Sequence, residues 1–167
     1  MEEELTIRKA VPKDIPSIRK VAQISWNNTY EGLIPHDIQN EFIKRAYSDE
    51  SMSNRINFSI FLVAELKGNI VGFANFFQEK SRAELGAIYI LPENQGSGSG
   101  SKLFNMGLKE LPNVTELLVH VERGNESAYA FYIAKGFQFS KEFEEELFGH
   151  TLKTKQLAMK IQQSEIV

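Results

Sequence analysis

The sequence predicts an α+β fold, or a mixed-sheet α/β domain, and not a doubly wound parallel sheet. Three observations carry that reading. Strand-like and helix-like stretches follow in the order β, α, α, three strands, α, β, α, β, β, without strict βαβ alternation, so about seven strands meet about four helices. A chain of 167 residues, 42% hydrophobic and 25% charged, has the balance of a soluble globular domain. At that length it buries about 70% of its unfolded surface and needs no staples. There is also no internal repeat and no long linker, so one domain over residues 1–167, with a core of about residues 5–162, is expected.

The elements follow in order. Residues 6–10 form a short strand, and Pro12 breaks it. Asp14 is a good N-cap for a helix with Pro16 in its first turn. Ile15, Ile18, Val21, Ala22 and Trp26 recur at helical spacing, so one face of that helix is buried. A second helix starts after Pro35, with Asp37 near its cap and Ile38, Phe42 and Ala46 as its stripe. Met52 and Ile56 extend the pattern into a further short helix. Residues 59–66 and 70–77 are β-branched and aromatic, and Lys67, Gly68 and Asn69 supply turn chemistry, which makes a hairpin. A turn at 79–82 leads to a third strand, 83–91, ended by Pro92. After a Gly/Ser loop, a helix over 102–111 carries Leu103, Phe104, Met106 and Leu108. Residues 115–121 form a strand. Asn125 caps a helix that runs to Lys135, where Gly136 stops it. Residues 137–143 and 152–160 are two strands around a polar connection, and the acidic run Glu142, Glu144, Glu145 and Glu146 reads as a solvated charged turn.

Charge and composition narrow the function classes. Nineteen basic side chains stand against 22 acidic ones, for a net charge of −3. Phosphate-backbone binding needs a basic face, so no nucleic acid is expected, and a small-molecule or cationic partner suits the chain better. The absence of cysteine excludes disulfides, thiolate metal sites and cysteine nucleophiles, and fits a reducing compartment. The start, Met1, Glu2, Glu3 and Glu4, is acidic where a signal peptide would be basic. The longest apolar stretches are strand-length, too short to span a bilayer. A cytoplasmic protein with no membrane partner is therefore expected. His36 and His150 have no partner at ligand spacing, so no metal site is expected, and His120 between Val119 and Val121 reads as a structural histidine.

The most informative stretch is Gln95, Gly96, Ser97, Gly98, Ser99, Gly100 and Ser101. A Gly/Ser run is often a flexible linker. Here it sits between a hydrophobic strand and an amphipathic helix, which points to anion binding instead. Glycines permit a tight turn, and the first amides of a helix lack intrahelical partners and sit at the positive end of its dipole. A pyrophosphate can be held there without a cluster of Arg or Lys. A Walker A loop fails, because Ser101 precedes Lys102 and Leu103 follows it. A dinucleotide fingerprint fails as well, since Gly96, Gly98 and Gly100 give G-x-G-x-G.

Gln95, Gly98 and Gly100 do fit Q/R-x-x-G-x-G/A. With that loop, the strand 83–91 and its Pro92, and Asn125-x-x-Ala128-x-x-Phe131-Tyr132-x-x-x-Gly136-Phe137, the chain resembles the Gcn5-related N-acetyltransferase (GNAT) superfamily over nearly its whole length. The resemblance implies a mixed, mostly antiparallel sheet whose fourth and fifth strands splay to admit acetyl-CoA as co-substrate. It implies that backbone groups of Ile88, Tyr89 and Ile90 meet the pantetheine arm and that the 95–101 loop takes the pyrophosphate. It puts Asn125 on the arm and Tyr132 beside the sulfur as general acid, although Asn125 also reads as an N-cap and Tyr132 as core packing. Asn125 and Tyr132 are seven residues apart, close to two helical turns, so they face the same way. Glu84 matches the position of a strand glutamate that serves as base, against the alternative of a solvated strand-edge acid. Trp26 and Tyr30, in a stretch similar to polyamine-acetylating relatives, would line the acceptor's wall. The implied reaction is direct acetyl transfer to a primary amine of a small cationic molecule, in a ternary complex. Acetylation of a protein N-terminus or lysine, and a CoA-binding regulator without turnover, remain alternatives. A homodimer is a further implication.

Overall fold

A computed structural model describes residues 4–162. The acidic start at Met1, Glu2 and Glu3 lies outside the described residues. Among these residues are seven strands: β1 Leu5–Lys9, β2 Ile60–Leu66, β3 Asn69–Glu79, β4 Arg82–Ile90, β5 Glu116–Glu122, β6 Gln138–Leu147 and β7 His150–Lys160. The helices are α1 Ile15–Thr29, α2 His36–Ala46, α3 Asp49–Phe58, α4 Ser99–Lys109 and α5 Glu126–Lys135. The strand order is β1-β2-β3-β4-β5-β7-β6. The pairs β1–β2, β2–β3, β5–β7 and β7–β6 are antiparallel, and β4–β5 is parallel. The mixed, mostly antiparallel sheet is the expected one. Among the described residues no helix is long and apolar enough to cross a membrane.

The described residues form five α-helices, and the further short helix expected around Met52 and Ile56 is α3, ten residues long. Its start is well specified. Ser48 Oγ accepts from the Ser51 amide at 3.2 Å, and Asp49 and Glu50 sit at the positive end of the dipole.

The chain divides into two compact units: residues 4–76 with Ala87–Glu110, and Phe77–Gly86 with residues 111–162. The first unit is built around aromatic rings. Phe73 meets Phe61 at 5.4 Å, Tyr47 at 5.8 Å and Tyr89 at 5.8 Å between centroids. Trp26 stacks on Phe42 at 4.2 Å. Arg55 threads this core: its Nε donates to Asn75 Oδ1 and its Nη1 to the Ala46 carbonyl, while its guanidinium lies 4.5 Å from the Tyr47 ring centre. Asn75, fully buried, returns donors to Ser59 Oγ and the Ile60 carbonyl, so the burial of its amide is compensated.

Two details of this unit differ from expectation. Asp14 stands at the N-cap position of α1 as expected, but its carboxylate makes no bond to the first amides of α1. It accepts the Val11 amide at 2.9 Å and both Nη groups of Arg8 at 2.8 and 3.0 Å. Those Arg8 bonds hold the Asp14 carboxyl below its ordinary pKa. In α2 the fully covered positions are Gln39 and Ile43, with Ile38, Phe42 and Ala46 only half-buried. Gln39 can be covered because its Nε2 donates to the Ile34 and Tyr30 carbonyls.

In the second unit the β4–β5 ladder joins Arg82, Ala83, Glu84 and Leu85 to Glu116, Leu117, Leu118 and Val119. Strand β5 continues antiparallel to β7 from Glu116–Lys160 to Glu122–Thr154. The acidic run is not a turn. Glu142, Glu144, Glu145 and Glu146 lie inside β6, with Glu142 opposite Lys155 and Glu144 opposite Lys153. Opposite charges across the ladder make a solvated strand tolerable where the sequence, read locally, suggested a connection. The actual turn is Phe148–Gly149, both at positive φ (48° and 82°), as a two-residue hairpin requires.

Candidate active site

In the first unit, the strand-to-helix passage from β4 to α4 holds most of the sequence-predicted positions. Ile88, Tyr89 and Ile90 are the last residues of β4, all half-buried. They lie past the last pair of the β4–β5 ladder, and the chain continues with the Leu91 amide donating to the Val71 carbonyl. Gly72 allows this end of β4 to approach closely: a Cβ there would stand 2.8 Å from the Tyr89 carbonyl oxygen. Gln95 Nε2 donates to the Ile90 carbonyl at 3.3 Å, and Ser97 Oγ to the Asn94 carbonyl at 2.7 Å. Gly96 and Gly98 are left-handed, at φ 81° and 85°.

Gly98 is the N-cap of α4, which therefore begins at Ser99 and ends at Lys109 rather than covering 102–111. Ser99, Gly100 and Ser101 thus form the first helical turn instead of the end of a loop. The first helical bond runs from the Lys102 amide to the Gly98 carbonyl. The amides of Ser99 and Gly100 precede it, at the positive end of an 11-residue helix. A Cβ at Gly96 or Gly98 would meet nothing within 4 Å, so it is the left-handed backbone and not crowding that calls for glycine at both positions. This donor set, neutral and amide-rich, fits a pyrophosphate.

Trp26, in the last turns of α1, and Tyr30, just past its end, are both buried and pack ring to ring at 4.6 Å. The Tyr30 and Tyr89 hydroxyls stand 3.5 Å apart.

In the second unit, Asn125 is the N-cap of α5, its Oδ1 accepting from the Ala128 amide at 3.4 Å. Gly136 ends that helix at φ 105°, as a C-terminal glycine should. Tyr132 is the buried residue of this helix. Its ring sits between Phe131 and Phe137 at 5.5 and 5.4 Å, both edge-on. Glu84, on β4, is about two-fifths exposed and meets His120 of β5: Glu84 Oε1 and His120 Nδ1 are 3.1 Å apart. His120 Nε2 is 3.1 Å from Gln156 Oε1 on β7. Two residues along β5, Glu122 is pushed up to about 6, first by burial, and Thr154 Oγ1 bridges it to Glu145 at 3.1 and 2.8 Å.

In the sequence Glu84 and His120 stand as separate candidates, and Glu122, Thr154 and Gln156 carry no motif that singles them out. A signal existed in part: His120 and Glu122 alternate with Val119 and Val121 along β5, so they share a face. The register to β4 and β7, which supplies the partners, is not local.

The sequence pattern of the Acetyltransferase (GNAT) family matches residues 21–139. The chain belongs to that family. As a GNAT acetyltransferase it is a transferase whose acyl donor is acetyl-CoA. It is similar to an uncharacterized N-acetyltransferase, YuaI, of Bacillus subtilis, at 36% identity over 112 residues; the match spans 64% of each chain, just under two thirds of that relative's length. It is also similar to a spermidine N(1)-acetyltransferase of Thermoplasma acidophilum, at 28% identity over 80% of this chain and 88% of that protein. Among solved structures, the PaiA N-acetyltransferase of Thermoplasma acidophilum in complex with coenzyme A superposes with a TM-score of 0.83 at 25% identity, covering 95% of this acetyltransferase and 99% of that chain.

Proposed function

We propose that this acetyltransferase, acting as a single N-acetyltransferase domain, moves an acetyl group from acetyl-CoA directly to a primary amine of a small cationic molecule of the polyamine class. The observation that carries the reading is the start of α4. Left-handed Gly98 caps α4 so that the amides of Ser99 and Gly100 lead the helix at its positive end, and the family match supplies the ligand they suit. The spermidine-acetylating relative and the acidic balance of 22 to 19 support the cationic acceptor.

The roles are proposed residue by residue. Backbone groups of Ile88, Tyr89 and Ile90 bind the amides of the pantetheine arm, and an amide near Ile90 steadies the charge that develops on the thioester oxygen. Gln95, Gly96, Ser97, Gly98, Ser99, Gly100 and Ser101 hold the pyrophosphate. Asn125 caps α5 and reaches the arm. Tyr132 delivers its phenolic proton to the departing sulfur; its ring is held by Phe131 and Phe137, which limits its rotamers. Glu84 takes the proton of the acceptor amine. Trp26 and Tyr30, largely buried, back the acceptor's wall from within the first unit. Without cysteine, and with no Ser-His-acid motif, transfer proceeds without a covalent enzyme intermediate. A cytoplasmic setting and a homodimer complete the proposal.

The test is a mass-spectrometric screen of small amines with acetyl-CoA, spermidine included, paired with calorimetry of acetyl-CoA binding. Acetylated product with thiol release is expected. Binding without any acetylated amine would mean a CoA-responsive regulator instead. In the positive case Tyr132→Phe lowers kcat by about 100-fold or more with little change in the KM for acetyl-CoA, since it removes a proton donor used in the transition state. An unchanged kcat removes Tyr132 from the mechanism.

A further inference from the structure

One cluster in the second unit gives the proposed base more than a single carboxylate. Glu84 reaches His120 across the parallel β4–β5 pair, and Gln156 reaches the other side of the same ring from β7. The geometry allots one proton to a specific gap. Gln156 Nε2 donates to Ser140 Oγ at 3.4 Å, which turns Gln156 Oε1 toward His120 as an acceptor. His120 Nε2 must then carry its hydrogen toward Gln156. That leaves Nδ1 with a lone pair in the neutral ring, aimed at a carboxylate oxygen 3.1 Å away. Two acceptors at that distance repel unless one proton lies between them. The gap is therefore a seat for a single proton.

We infer that Glu84 and His120 act as one proton-accepting unit, with His120 the positioning residue that fixes the Glu84 carboxylate and keeps the proton Glu84 receives. The inference rests on the proposed amine acetylation. An acceptor R–NH3+ gives one proton to Glu84, which passes it to His120 Nδ1, so the result is R–NH2 and an imidazolium–carboxylate pair. The nitrogen lone pair then forms the C–N bond while the C–S bond breaks, and the nitrogen's remaining extra proton balances the one taken up by the sulfur. The imidazolium returns its proton to water before the next cycle.

The charges around the ring favour this. Glu84 on β4 touches it, and Glu122 on β5 and Glu145 on β6 act on it through their charge. Lys141 of β6 lies 5.7 Å from the centre of the Phe143 ring, which itself meets the imidazole edge-on at 5.4 Å. The hydrogen bond that the protonated imidazole donates to Glu84, opposed by partial burial, raises His120 above its ordinary pKa. A raised value keeps the proton on the pair until it is released to solvent. The alternation of β5 puts His120 and Glu122 on one face, and half-exposure of both Glu84 and His120 leaves that face open to water.

The experiment combines kinetics with a direct titration. His120→Gln keeps a donor for Glu84 but cannot titrate. It should move the acid limb of kcat/KM for the amine to lower pH, toward an ordinary carboxylate, and lower kcat/KM at neutral pH by about tenfold to 100-fold. NMR titration of the imidazole, assigned by its loss in His120→Gln, should show the His120 midpoint falling in Glu84→Gln. An acid limb that stays in place in His120→Gln overturns the inference, as does a His120 midpoint unmoved by Glu84→Gln. If the wild-type chain acetylates no amine, the proposed function falls and the proton route falls with it. If it acetylates amines with an unchanged acid limb, only the paired base falls.

Discussion

The first unit and strand β6 of the second treat their side chains in opposite ways. Residues 4–76 with Ala87–Glu110 pack Tyr47, Phe73, Phe76 and Met52 out of contact with water, and tie a buried Asn75 into an Arg55 network. In the second unit, eight of the ten residues of β6 are exposed and the other two half-buried, and its partner β7 sets Lys155 opposite Glu142 and Lys153 opposite Glu144. The first unit is held by packing, which tolerates almost no change of volume. The β6–β7 hairpin is held by its ladder, which leaves side chains free to be polar. The Glu84–His120 pair keeps access to water, whereas Thr154, which joins Glu122 to Glu145, is fully buried, and the Gly98-capped helix start sets exposed residues 95–98 against a buried Ser99.

Substitutions test that contrast. The largest effect is expected from Phe73→Ala, which removes a fully buried ring touching three others and should cost about 3–5 kcal/mol by denaturant unfolding. A cost near zero would mean the first unit is not held by packing. Gly107→Ala comes next. Its new Cβ would lie 2.1 Å from Phe76 Cε1, against a ring with no room to retreat, and should cost about 1–3 kcal/mol.

The second unit should respond to pH. Burial raises Glu122 from 4.5 to about 6 in the folded chain, so the folded state prefers the protonated form. Its contribution to stability is therefore complete below the unfolded value and is lost as pH rises through about 6. Glu122→Gln should melt like wild type near pH 4.5 and about 2–4 °C higher at pH 7.5. Equal melting points at both values would show that water already solvates the Glu122 carboxylate. The smallest effect is expected from Lys153→Glu, which puts like charges opposite Glu144 on the exposed hairpin and should lower Tm by only about a degree. A larger fall would mean the hairpin depends on charge pairing more than on its ladder.

Much of this fold could be read without coordinates because its signals are short-range. Asn125 and Gly136 bracket α5 in the sequence as they do in space, and Lys67-Gly68-Asn69 joins two strands. Where the expectation fails, a specific pairing or backbone conformation decides. The Arg8 fork holds the Asp14 carboxylate away from the helix amides, a left-handed Gly98 sets the start of α4 at Ser99, and the glutamate run is strand paired with β7, where Lys155 and Lys153 lie opposite Glu142 and Glu144.

By itself the sequence determined the order of elements, the glycine turn ahead of α4, the Asn125 and Tyr132 motif and the family they belong to. These rest on residue type and spacing within a few turns of chain, where propensity and capping act directly. Only the tertiary structure decided which titratable groups meet. Glu84, His120 and Gln156 sit on three strands, and it is the parallel register of β4 with β5 and the antiparallel register of β5 with β7 that sets them within 3.1 Å of one another along the chain Glu84–His120–Gln156. A slip of one residue in either register would turn that side chain to the opposite face of the sheet, so no local pattern could have specified the pair.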